Sequence, residues 1–236
     1  MKKTVVTCLL GIMGLVAAPA QKVILPQPSL QPSAAQKAQI DRKYGMFVHF
    51  GINTFHNQEW TDGTLPAKSY APAQIDAEQW VRAAKEAGMK YLILITKHHD
   101  GFCLWDSKYT DYDVASSSNT TNVVEAVAKA CKKYDMGLGL YYSLWDRHQN
   151  ADVKDRKLDA SYNEYMVGQL KELLKITGKY THVVEFWFDG GWVKPNYRWP
   201  LMDIYTTIKK EEPKCQVGIN WSIGKPENVD AHPVYP

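Results

Sequence analysis

Basic runs are scarce in this chain. No block of Lys and Arg exceeds two residues, and 28 basic against 25 acidic residues leave a net charge of only +3. A nucleic-acid partner needs a concentrated positive surface, so that class is disfavoured. Cysteine is sparse as well: Cys8, Cys103, Cys131 and Cys215 are all there is. Cys8 lies in an N-terminal apolar run, and the other three are odd in number and widely spaced. That is neither a disulfide framework nor a zinc pattern, and buried free thiols are expected. No glycine-rich loop follows the first predicted strand, which disfavours a dinucleotide fold. The one long apolar run, Val5 to Ala18, is too short for a comfortable membrane span.

That run has another reading. Lys2-Lys3 precede it and Ala18-Pro19-Ala20 close it, the layout of a cleaved export signal. Residues 1–20 are therefore expected to be removed, with Gln21 first in a mature protein that is periplasmic or extracellular and has no membrane contact. Residues 21–42, with Pro26, Pro28, Pro32 and several Gln, are expected to form an extended leader.

What is present is an ordinary globular composition, 45% hydrophobic and 22% charged, with an aromatic surplus that includes 8 Trp. Tryptophan faces stack on sugar rings, so the surplus leans towards carbohydrate. From Met46 onward strand and helix patterns alternate. Strands are expected at Met46 to Ile52, Tyr91 to Thr96, Gly137 to Ser143, Val183 to Asp189 and Gln216 to Asn220. Helices are expected from Asp76 to Ala87, Asn122 to Tyr134, Ser161 (paired with Glu164 as a capping box) to Thr177, and Trp199 to Glu211. The second of these strands is apolar on both faces, as a buried parallel sheet requires. Long aromatic loops follow the strand ends, which favours a (β/α)8 TIM-like barrel over a doubly wound sheet. A complete barrel takes about 250 residues, and the fifth strand is reached only near residue 216. Residues 43–236 are thus expected to be the N-terminal part of such a catalytic domain.

Two runs put ionisable groups at strand ends: Lys97-His98-His99-Asp100-Gly101-Phe102 and Phe186-Trp187-Phe188-Asp189-Gly190-Gly191-Trp192. Strand alternation turns Val184, Phe186 and Phe188 towards helices, and Glu185, Trp187 and Asp189 towards the barrel axis. The same count points His49, Tyr141 and Asn220 inward and Tyr142 outward. The candidates His49, His98 or His99, Tyr141, Trp187, Asp189 and Asn220 converge on one mouth. Three readings fit that cluster. A glycosidase would use Asp189 beside sugar-stacking aromatics. A metal hydrolase would use His49, His98, His99 and Asp100, although adjacent histidines on an extended strand face opposite ways. A non-catalytic sugar-binding protein would use the same pocket without an acid.

The runs Tyr44-Gly45-Met46-Phe47-Val48-His49-Phe50-Gly51, Glu59-Trp60, Lys97-His98-His99-Asp100-Gly101-Phe102, Gly139-Leu140-Tyr141-Tyr142-Ser143 and Trp187-Phe188-Asp189-Gly190 resemble those of glycoside hydrolase family 29, the α-L-fucosidases. They occur in the family's order over roughly residues 42 to 192. The resemblance implies retaining hydrolysis of terminal α-L-fucose from a glycan or oligosaccharide, without metal or other cofactor. It also implies a C-terminal β-sandwich after the barrel. It gives Asp189 as nucleophile and His49, Glu59, Trp60, His98, His99, Tyr141 and Trp187 as substrate-binding residues. Asn220-Trp221-Ser222 stands where many relatives carry an Arg. The acid/base is expected past Pro236, with Glu227 a minor candidate, and this chain by itself is expected to be inactive. Fucose or galactose binding without turnover is the alternative outcome.

Overall fold

The computed structural model describes residues 31–149, 160–193 and 199–220. The export signal expected at residues 1–20, and Glu227, lie outside these. Five strands form one parallel sheet in the order β1-β2-β3-β4-β5: β1 (Gly45–Val48), β2 (Tyr91–Lys97), β3 (Gly137–Ser143), β4 (Val183–Asp189) and β5 (Gln216–Ile219). Among the described residues the order runs one way without reversing, with no switch point of the doubly wound kind.

Helices α2 (Ala77–Glu86), α3 (Val123–Tyr134), α4 (Ala160–Thr177) and α5 (Leu201–Glu211) connect the strands. Their starts follow from local chemistry. The Asp76 carboxylate accepts from the Gln79 amide, and the Asn122 side chain accepts from that of Glu125, each satisfying a helix-start N–H with no intrahelical partner. Ser161 falls inside α4 rather than capping it. One face of the sheet builds the main core: Leu92, Leu94, Leu138, Leu140, Tyr142, Phe186 and Phe188 pack with Val81, Val127, Leu170 and Ile204 of the helices. The other face carries a small cluster of Ile93, Ile95 and Tyr141 with Tyr91 and Trp187 and no helix residue. The strand alternation read from sequence is therefore correct for β3 and for Glu185 to Asp189 of β4, but Val183 rather than Val184 joins the core, because the β3–β4 register shifts between Leu138 and Gly139. Cys103, Cys131 and Cys215 are buried free thiols, as expected.

Two further expectations change: the first strand ends at Val48 instead of running to Ile52, which begins a 3-10 turn over Ile52–His56, and the leader differs. The leader to residue 42 is not extended throughout, because α1 runs over Ala34–Arg42. Ser33 and Gln36 form a reciprocal capping box that starts it. Gln39 donates to Glu185 (2.9 Å) and Arg42 stands 3.8 Å from the same carboxylate. Glu185, buried on the inner face, thus faces one cation and one amide of α1. Among the described residues no helix is long and apolar enough to cross a membrane.

Candidate active site

Asp189 is the last residue of β4 and lies opposite Ser143 on β3. Its backbone carbonyl accepts from Leu144 N at 2.7 Å, so the strand end is held on both sides of the turn. Gly190 follows with φ +79, a conformation that favours glycine, and a Cβ there would meet Trp145 Cβ at 2.6 Å. The turn that lifts Asp189 into the mouth therefore requires Gly190.

The Asp189 side chain is buried. Tyr141 donates its phenol proton to Oδ2 (2.8 Å) and Asn220 donates its amide to Oδ1 (3.1 Å). Burial raises the carboxyl pKa above its ordinary value; the Tyr141 hydroxyl, the Gly190 backbone N–H and the Asn220 amide offset only part of that rise. The stabilising donors are thus a phenol, an amide and the backbone. Burial, with the Asp189 charge next in weight, raises the Tyr141 phenol so that it stays protonated.

The two histidines correct the sequence reading. On a regular strand they would face opposite ways, but β2 breaks register between Ile95 and Lys97 and ends there. His98 and His99 then lie in the following loop with ring centroids 4.1 Å apart, tilted by 34°. His98 also sits against His49 (4.5 Å) and stacks on Tyr141 (5.7 Å). His99 Nε2 stands 3.7 Å from Asp189 Oδ2. Both imidazoles therefore belong to one mouth. Burial, reinforced by the neighbouring imidazoles, pushes His98 down to about 2. Burial and then His49 bring His99 to about 4, so both rings are neutral near pH 7. His49 is at the rim; lost hydration lowers its pKa, while Asn53 and Glu59 oppose that shift.

The remaining candidates take less uniform places. Trp187 lies against Tyr141 (5.4 Å) and Phe47 (5.2 Å), forming the floor. Trp60, 48% exposed, stands edge-on to His99 and Trp145. Glu59 is exposed, and its backbone carbonyl accepts from Asn53 (2.6 Å). Sequence reasoning missed Asn53, whose amide also reaches His49 Nε2 at 3.3 Å. Nothing in the local pattern separates it from an ordinary turn asparagine. Trp145 (4.8 Å) and Trp192 (5.8 Å) add further indole contacts around His99. Among the described residues no three His, Cys, Asp or Glu side chains are grouped to hold a metal ion.

Asp100, next to the histidines, does not enter the mouth. Its Oδ1 accepts from Phe102 N (2.7 Å), while Oδ2 is buried without a partner among the described residues. Burial pushes its carboxyl up to about 6, against the pull of the Phe102 amide. A raised carboxyl pKa contributes stability below the unfolded value of about 3.9, lost as pH rises through the folded value. Asp100→Asn keeps the Phe102 acceptor and never ionises. The variant is expected to gain on wild type between pH 4 and pH 7, by on the order of 2–3 kcal/mol. Denaturant melts at the two pH values check this; an equal difference at both would refute it.

The comparisons with known proteins agree with the geometry. The family model described as alpha-L-fucosidase matches residues 16–232. Alpha-L-fucosidase 1 of Arabidopsis thaliana is 44% identical over 170 residues, covering 71% of this chain and 31% of that protein. Alpha-L-fucosidase isoenzyme 1 of Paenibacillus thiaminolyticus superposes with TM-score 0.64 at 30% identity, over 78% of this chain and 50% of that one. A family 29 α-L-fucosidase of Bacteroides thetaiotaomicron, described as a trapped covalent intermediate in complex with 2-fluoro-fucosyl fluoride, gives TM-score 0.66 at 28% identity. It covers 81% of this chain and 50% of that one. The chain thus spans under a third of the length of the Arabidopsis relative.

Proposed function

The chain belongs to the α-L-fucosidases, glycoside hydrolase family 29, and from that premise we propose that its site cleaves terminal α-L-fucose from glycans or oligosaccharides with retention of configuration. Asp189 attacks the anomeric carbon while the leaving oxygen is protonated, giving a fucosyl–aspartate ester. Water then attacks the same carbon and frees the sugar, returning Asp189 as a carboxylate. The observation that carries this reading is the Asp189 carboxylate itself: one oxygen takes the Tyr141 phenol and the other the Asn220 amide. These donors favour the charged form that a nucleophile needs, against the burial that disfavours it.

The surrounding groups fit a sugar with both polar and apolar sides. Neutral imidazoles at His49, His98 and His99 offer hydrogen-bond partners to ring hydroxyls, and Glu59 adds a carboxylate at the rim. The indoles of Trp60 and Trp187 offer faces for the sugar's C–H groups and its methyl. The protonating carboxyl belongs outside the described residues, at about 5–5.5 Å from Asp189 once assembled, as retention demands. The five strands, in unreversed order with α2 to α5 on one face, are read as an arc of a (β/α)8 barrel, with Asp189 at its catalytic rim. Residues 1–20 are read as an export signal.

The test is NMR observation of the first sugar that the full-length protein releases from an aryl α-L-fucoside. The α-anomer appearing before mutarotation is expected; the β-anomer would overturn retention. Hydrolysis of the matching galactoside alone would move the specificity, and sugar binding with no turnover of either would leave a binding protein.

A further inference from the structure

The hydrogen atoms around His99 can be counted. Ser143 Oγ lies 2.6 Å from the Trp145 carbonyl oxygen and 2.7 Å from His99 Nδ1. A carbonyl oxygen only accepts, so the single hydroxyl proton of Ser143 goes to Trp145. Ser143 Oγ must then accept from His99, and the proton it accepts is on Nδ1. The opposite arrangement, with the hydroxyl donating to Nδ1, would set two oxygens 2.6 Å apart with no proton between them.

We propose that Ser143 is a positioning residue that holds His99 as the Nδ1–H tautomer, so that the Nε2 lone pair faces Asp189 and the sugar. The sugar part of this rests on the fucosidase reading; the tautomer does not. Asp189 Oδ2 is 3.7 Å from Nε2 and already accepts from Tyr141. With a proton on Nε2, His99 would compete for the oxygen that must attack. With a lone pair there, His99 accepts a hydrogen bond from a substrate hydroxyl instead. The bound sugar must then present a donor at that place, a polarity requirement that an ether or fluorine fails.

The relay is built to stay put. Ser143 ends β3 directly opposite Asp189. The Trp145 carbonyl precedes Asp146, whose carboxylate takes Lys97 Nζ (2.9 Å), the Tyr165 hydroxyl (2.9 Å) and Gln149 N (2.9 Å). Arg147 N donates to the His99 carbonyl (2.9 Å), tying the same loop to the histidine's own backbone. The acceptor that orients Ser143 is thereby anchored from both sides. Burial keeps the imidazole neutral near pH 7, with a pKa of about 4, so tautomer choice is the relevant variable there.

Long-range proton–nitrogen NMR of the 15N-labelled protein at pH 7 tests this directly, with a His99→Gln spectrum to assign the signal. A protonated Nδ1 and bare Nε2 are expected. An Nε2–H ring, or an even mixture, would overturn the proposal whether or not any variant folds. Ser143→Ala is expected to move the ring towards Nε2–H and to lower kcat/KM on the aryl fucoside about ten- to hundredfold. Ser143→Thr, which keeps a hydroxyl, is expected to retain the wild-type tautomer. An unchanged tautomer in Ser143→Ala would refute the role of the hydroxyl. Failure of the protein to act on fucosides would leave the NMR result intact, so the two readings fail separately.

Discussion

Replacing Asp189 with glycine in the full-length protein is expected to lower hydrolysis of an aryl α-L-fucoside by roughly four to six orders of magnitude, the scale on which loss of a member of the nucleophilic machinery acts in other hydrolases. Tyr141 and Asn220 would remain, pointing at a space where the carboxylate was. That space and those donors suit a small anion. Added azide is therefore expected to restore part of the turnover with a substrate whose acidic phenol departs without protonation. The carbon–nitrogen bond forms as the carbon–oxygen bond breaks, and the product is the β-fucosyl azide. An active phenol also removes dependence on the protonating group, so the experiment isolates the attacking residue. Equal activity in variant and wild type would remove Asp189 from the reaction. In wild type, incubation with 2-fluoro-fucosyl fluoride is expected to add one fluorofucosyl unit to Asp189, readable by peptide mass.

The largest stability effect is expected at Lys97. Its ammonium is fully buried, 2.9 Å from Asp146 and 3.0 Å from the Tyr142 hydroxyl, and lies over the Tyr142 ring at 4.2 Å. Burial pulls Lys97 down and pushes Asp146 up, yet the pair overcomes both: the ammonium rises and the carboxyl falls below its usual range. Lys97→Met would leave the Asp146 charge buried with only the Tyr165 hydroxyl and the Gln149 amide. The expected cost is about 3–5 kcal/mol, or roughly 6–20 °C in Tm for a chain of this size. The double variant Lys97→Met with Asp146→Leu removes both charges and is expected to lose clearly less than the two single losses added. Additive losses would mean that the pair contributes no coupling. The same ion pair anchors the loop that orients Ser143, so stability and the state of His99 share one set of contacts.

The reach of the sequence differs from residue to residue. Gly137–Ser143 and Val183–Asp189 are strands over the residues expected. Their alternation set Tyr141 and Asp189 on the inner face and Tyr142 and Phe188 on the helix face. Asp76 and Asn122 cap their helices because the needed oxygen is three residues from its amide. By contrast, α1 was hidden in a proline- and glutamine-rich stretch, although Ser33 and Gln36 carried the capping signal. The paired orientation of His98 and His99 was unreadable, because alternation assumes a regular strand and β2 breaks register at Ile95.

By itself the sequence determined the alternation of elements, the rim position of Asp189 and the family motifs, all of which depend on neighbours a few residues apart. The tertiary structure alone decided which proton His99 carries, that Lys97 finds Asp146 across 49 residues, and that Tyr141 and Asn220 divide the two oxygens of Asp189 between them. These are choices between partners brought together by sheet register and loop packing. Local periodicity says which way a side chain leaves the backbone, and only the packed fold says what it meets.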